Sequence, residues 1–228
     1  LHVPNFVPDP IEIPGNVTER SYNVQLSFIR RLEVLFLLSL GGISAFYFGT
    51  LPEISLRAAT TFVVGSIVLL SGIRLLMRRS EYEAVISISM LPAVLGGIAL
   101  LCRALERADV PIHAPLVGIG CGAIYTFLCK RDFSFVGQFF LSLIASSILL
   151  SLAGLIQRQA PHQVALALAI NAVVLGYTVY DRAKLMHRRR AGEELAAVAD
   201  LYRDPLNVFG YLARCIAHWR RHRIWIQR

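Results

Sequence analysis

The sequence predicts an all-α integral membrane protein with six to seven transmembrane helices. Three observations carry this. Only 17% of the 228 residues are charged and 55% are hydrophobic, whereas a soluble domain carries about 25% charged residues. The charges cluster in short islands between long uncharged runs. Six of those runs reach about 18 residues or more, the length that crosses a bilayer as a helix.

The elements follow in order. Residues 1–23 form a polar tail with Pro4, Pro8, Pro10 and Pro14. Alone, such a segment stays extended or disordered. The membrane domain is expected over 24–219, beginning with a span at 34–52. The second span, 58–77, holds one charge, Arg74, placed where it can snorkel toward the headgroups. Spans three, four and five, at 84–102, 110–129 and 133–157, contain no Asp, Glu, Lys or Arg. They lack the polar face that a soluble core helix shows at helical period. Span six covers 159–180. A seventh stretch, 201–219, is too polar to face lipid all round. It can lie in the interface, dip in and return, or cross as the central helix of the bundle. A basic tail, 220–228, ends the chain.

The net charge of +8 does not indicate nucleic-acid binding, because the basic residues flank the spans. Most fall in the loops on the side of the N-terminus, the positive-inside pattern of a cytoplasmic or matrix face. The arginines after residue 213 would lie on the other side if 201–219 crosses. Charge alone therefore favours six crossings. The four cysteines show no metal spacing, and no disulfide or zinc site is expected. There is no phosphate-cradling glycine loop and no nucleophile–base pair, so no enzyme and no resident cofactor is expected.

Asp181 and Asp204 are the leading site candidates. A carboxylate at the edge of a bilayer is costly and by default functional. Asp181 ends span six, and Asp204 begins the seventh stretch. If these helix ends meet, two carboxylates share one site, where they can hold a proton between them or bind Ca²⁺ transiently. The alternative is that each pairs with a local cation: Arg182, Arg203 or Arg74. Asp200 shares a helix face with Asp204; it either widens the acidic site or caps the seventh helix, capping being preferred. Glu33 is expected to pair at the interface beside Arg30 and Arg31. Asn171 is expected to bond between helices. Small residues such as Gly96-Gly97, Gly118 and Gly122 permit close helix approach.

Several motifs together resemble the Bax inhibitor-1 family. Lys130-Arg131-Asp132-Phe133-Ser134-Phe135-Val136-Gly137 looks like its lysine/arginine-Asp-Phe-Ser segment. Tyr180-Asp181 resembles its Tyr/Phe-Asp-Thr signature. Asp200-Leu201-Tyr202-Arg203-Asp204, followed by Leu206-Asn207-Val208-Phe209, is similar to its last-helix motif. Phe28-Ile29-Arg30-Arg31 resembles its start. The resemblance covers about 25–225. It implies seven helices with the last surrounded by the other six, so that 201–219 crosses. It also implies that Asp181 and Asp204 form an acidic pair gating a pH-sensitive Ca²⁺ leak, with links to cell-death suppression. The chain departs from the pattern at Arg182, Ala183, Arg203 and Pro205. Two cations beside the pair would repel Ca²⁺ and latch the carboxylates.

A second expectation is a non-transporting accessory subunit of a larger membrane complex, such as a respiratory-chain or ATP synthase assembly. The proline-rich tail, the absent initiator Met and the altered acidic motif motivate it. Its docking or lipid-anchoring elements would be Pro4, Pro8, Pro10 and Pro14 with Trp219, Arg220, Arg221, Arg223 and Trp225. A mitochondrial or bacterial inner membrane suits either reading.

Overall fold

A computed structural model describes residues 13–77, 82–129 and 132–205. Pro4, Pro8, Pro10, Trp219, Arg220, Arg221, Arg223, Trp225 and residues 206–219 of the seventh stretch lie outside the described residues.

The architecture is all helical. The helices are α1 (Tyr22–Phe48), α2 (Leu56–Met77), α3 (Glu83–Glu106), α4 (Ala114–Leu128), α5 (Phe135–Ile156), α6 (Pro161–Arg188) and α7 (Glu194–Arg203). No strand occurs among the described residues. Among the described residues four helices are long and apolar enough to cross a membrane: Leu56–Arg74, Glu83–Glu106, Phe135–Ile156 and Pro161–Arg188. The apolar α4 is shorter, at 15 residues. Large apolar side chains such as Leu38, Val68, Ile124, Ile148 and Val173 point outward, as lipid-facing positions do.

Local chemistry sets the helix ends. Ser134 caps α5 by accepting the Gly137 N–H at 2.8 Å. A proline stands in the first turn of α4 and of α6, where its missing N–H costs nothing. α1 begins at Tyr22, well before the apolar run at 34. Its first turns are amphipathic, with Leu26, Phe28, Ile29 and Leu32 turned inward. Gln25 holds this start in place by donating to the carbonyls of Thr18 and Arg20 at 2.9 and 2.7 Å. α6 runs past Tyr180 to Arg188 and so carries Asp181 inside a helix rather than at its end.

Helices α1 to α6 form two groups. α3 packs against α1 and α2, while α4, α5 and α6 pack mutually. α7 lies between the groups and touches α1, α2, α3 and α6. Nine of its ten residues are buried, although its composition is polar. Protein surrounds this segment, which includes only the first residues of the 201–219 stretch. Gly97 permits the α2–α3 approach: a Cβ there would lie 2.6 Å from the Phe62 ring.

The described part of the N-terminal tail folds back on its own domain. Ile13 N–H donates to the His187 carbonyl at 3.2 Å, and Val17 N–H to the Arg189 carbonyl at 3.0 Å. Val17 is fully buried, and Pro14 is exposed. This strap crosses the end of α6.

Candidate functional site: a buried carboxylate–guanidinium cluster

The site forms where α6 ends and α7 begins. The last turns of α6 carry Asp181, Arg182 and Arg188, and Arg189 caps it. The chain then reverses through Gly192, whose φ of +98° suits a residue without a Cβ. α7 returns with Asp200, Arg203 and, at its cap, Asp204. Arg74 from the end of α2 and Glu83 from the start of α3 close the cluster.

Asp181 and Asp204 meet through a cation. Arg188 Nη1 lies 2.5 Å from Asp204 Oδ2 and 3.9 Å from Asp181 Oδ1. Arg203 holds the other Asp204 oxygen, with Nη2 at 3.0 Å, and reaches Asp200 Oδ1 with Nη1 at 2.7 Å. Arg189 grips Asp200 with two donors, at 2.7 and 2.9 Å. It also grips Glu83, at 3.1 and 3.3 Å. Arg74 adds contacts of 3.3 Å to Asp200 and 3.4 Å to Glu83. Such planar, forked pairs are the strong form of charged hydrogen bond.

A separate pair lies alongside. Arg182 Nη1 is 2.7 Å from Glu33 Oε2, both fully buried. The guanidinium stands 5.1 Å from the centroid of the Phe36 ring, a cation–π distance. The donors are not well aimed: among the described residues no aligned hydrogen bond reaches the Arg182 nitrogens or the Glu33 carboxylate. Attraction here is chiefly coulombic.

The placement differs from the sequence reading at several points. Arg203 and Arg74 do face the acidic group. Arg74 turns inward instead of snorkelling, and also approaches the Arg188 carbonyl at 3.5 Å. Arg182 turns away to Glu33, so Glu33 pairs across the bundle rather than with its neighbours Arg30 and Arg31. Arg30 instead donates to the Cys129 carbonyl at the end of α4, at 2.9 Å. Asp200 does not cap α7. It lies near that helix's C-terminal end and widens the acidic cluster. Arg188, Arg189 and Glu83 were missed. The run Arg188-Arg189-Arg190 read as loop charge; its signal was its position within a helical turn of Asp181 and before a second acidic helix.

Burial alone would raise the Asp200 carboxyl. Arg203, Arg189 and Arg74 outweigh it and hold the group down at about 2. Burial likewise works against the charge of Arg189, and Asp200 and Glu83 overcome it, raising its affinity for the proton. Five carboxylates (Glu33, Glu83, Asp181, Asp200, Asp204) thus face five guanidiniums (Arg74, Arg182, Arg188, Arg189, Arg203). Asp181 Oδ2, like the Glu33 oxygens, is buried and accepts no hydrogen bond among the described residues. No group of three His, Cys, Asp or Glu residues suited to a metal ion occurs among them either. In this arrangement guanidiniums neutralise the acids.

The family model described as inhibitor of apoptosis-promoting Bax1 matches residues 26–221, most of the chain. The chain belongs to the Bax inhibitor-1 family. No curated protein and no solved structure matches it. Family membership and the apolar helices make this an integral membrane protein. The matched region runs from within α1 past α7, so the whole carboxylate–guanidinium cluster lies within the Bax inhibitor domain.

Proposed function

We propose that this Bax inhibitor-type protein is a pH-sensitive Ca²⁺ leak held shut by arginine. The observation that carries the reading is the Arg188 guanidinium between Asp204 and Asp181. While both acids are ionised they hold this cation, and the cation excludes Ca²⁺ by repulsion. Protonating the pair weakens their grip on Arg188. Arg188 can then leave, and the oxygens of Asp181 and Asp204 become available to a passing cation. The unbonded Asp181 Oδ2 is the oxygen best placed to be met first.

The test is Ca²⁺ flux into liposomes across a pH series. Wild type should leak little at neutral pH and more as pH falls. Arg188→Gln should leak at neutral pH and lose much of that dependence. Flux that responds to neither pH nor the substitution would remove the leak. The cluster would then serve as a structural clasp in a non-transporting subunit of a larger membrane complex. The three arginines around Asp200 favour that second reading, because they bind an acid outside the gating pair.

A further inference from the structure

The acidic cluster lies at the end of α2 and the start of α3. The opposite ends of the same two helices, with the loop from α1 to α2, enclose a hollow of about 420 Å³. That volume falls within the roughly 300–1,000 Å³ of small-molecule sites. Ile54, Leu56 and Ala104 give it apolar walls, and Glu53, Ser55 and Arg107 line it with polar groups. Glu53, Ser55, Leu56 and Arg107 are exposed, so the hollow opens outward.

Neighbouring charges at this end hold the fold. Arg103 Nη1 donates to the Leu51 carbonyl at 3.1 Å and straps the loop to α3. Glu106 accepts from the Tyr47 hydroxyl and lies 3.8 Å from His113 Nε2. Arg107 spends Nη2 on the Ile54 carbonyl, at 2.6 Å. Its Nη1 stands 3.5 Å from Glu53 Oε2, wider than the about 2.7–2.9 Å of a charged hydrogen bond. Both side chains are solvated, and such a pair opens at little cost. Ser55 Oγ accepts the Ala58 N–H at 3.2 Å, which leaves its hydroxyl proton to donate. The hollow thus offers a cation, a hydroxyl donor and an anion beside apolar side chains.

Its level in the bilayer fits a lipid. The apolar spans begin at Leu56 in α2 and end at Glu106 in α3, so the hollow sits where headgroups lie. Further along α2, Val64 and Val68 face outward, a surface on which acyl chains can rest.

We propose that this hollow binds a phospholipid with a zwitterionic, primary-ammonium headgroup, the phosphoethanolamine class. The phosphate lies against Arg107 and the Ser55 hydroxyl, and the ammonium against Glu53. A purely anionic headgroup would meet Glu53 as a like charge, and a choline headgroup has no N–H to give it. The site is at the other end of the bundle from Asp181 and Asp204 and does not depend on the leak reading.

Native mass spectrometry of the full chain tests it, with equal amounts of phosphatidylethanolamine, phosphatidylglycerol and phosphatidylcholine added in mild detergent. The phosphatidylethanolamine adduct should exceed each of the others several-fold. Glu53→Gln, at an exposed position, should bring that adduct down to the phosphatidylcholine level. Arg158→Gln, at an exposed position after α5 and outside the hollow, should leave the preference intact. Equal adducts in wild type, or a preference for phosphatidylglycerol, overturn the proposal. So does a preference that survives Glu53→Gln or is lost in Arg158→Gln. Displacement of the lipid by soluble phosphoethanolamine would also overturn it, because the ligand would then be a free headgroup.

Discussion

Arg188 and Asp204 form a buried ion pair, with Nη1 2.5 Å from Oδ2, between the last turn of α6 and the cap of α7. The pair ties together two elements that the sequence separates by a charged turn. It also places Asp181 within the field of the same cation. Removing one partner of a buried pair leaves the other uncompensated. Arg188→Gln should therefore cost about 3–5 kcal/mol of stability. Thermal unfolding in detergent measures it. Asp204→Asn should cost a similar amount, because Arg188 and Arg203 bind different oxygens and an amide can accept from only one of them.

The acid limb of stability should report Asp200. Its carboxyl sits at about 2 in the folded protein, below the roughly 3.9 of an unfolded chain. A depressed carboxyl stabilises the fold at pH above the unfolded value, and the gain is lost as pH falls toward the folded one. Wild type should therefore lose on the order of 2 kcal/mol between about pH 5 and pH 2. Asp200→Asn should start less stable and show a shallower fall over the same range. Denaturation across that range checks both.

Glu33 and Arg182 should behave as a couple. Either single change, Glu33→Gln or Arg182→Gln, strands a fully buried charge. Each should destabilise by about 3–5 kcal/mol, whereas the double change should cost less than the sum of the two. A double-mutant cycle measures the coupling. Additive losses would show that the two charges act independently.

Gly118 should resist replacement. A Cβ there would stand 2.2 Å from Asn171 Oδ1, so Gly118→Ala must displace the Asn171 amide from its bond to Ser146. A loss of about 1–3 kcal/mol is expected from overpacking. Adding Asn171→Ala should recover part of it. Unfolding of the single and double variants decides this.

Four of the expected spans coincide with helices long and apolar enough to cross, because a bilayer demands length and apolarity, and both are written along the chain. Asp181 and Asp204 were legible because acids at the ends of apolar runs are conspicuous. Their counter-ions were legible in part: Arg203 and Arg74 were named and face the acids, Arg182 pairs elsewhere, and Arg188 and Arg189 were missed. Hydropathy cannot tell an arginine that snorkels from one that turns inward, and Arg74 does the latter. Charge counting by side also left Arg188 and Arg189 among the loop charges, although both are buried and paired. Glu33 sits next to Arg30 and Arg31 in sequence, yet helix geometry points it across the bundle. The early start of α1 was hidden because its first turns are amphipathic rather than apolar.

The N-terminal strap has a mechanical consequence. Ile13 and Val17 hold the His187 and Arg189 carbonyls, on either side of Arg188. Tension on the chain ahead of Ile13 would be transmitted through two backbone bonds to the turn that carries this arginine. A tether, a cleavage or a bound protein near the start of the chain thus has a lever on the acid pair, though it is distant in sequence. Shortening the chain to Ile13 would leave both attachment points, whereas shortening it past Val17 would remove them.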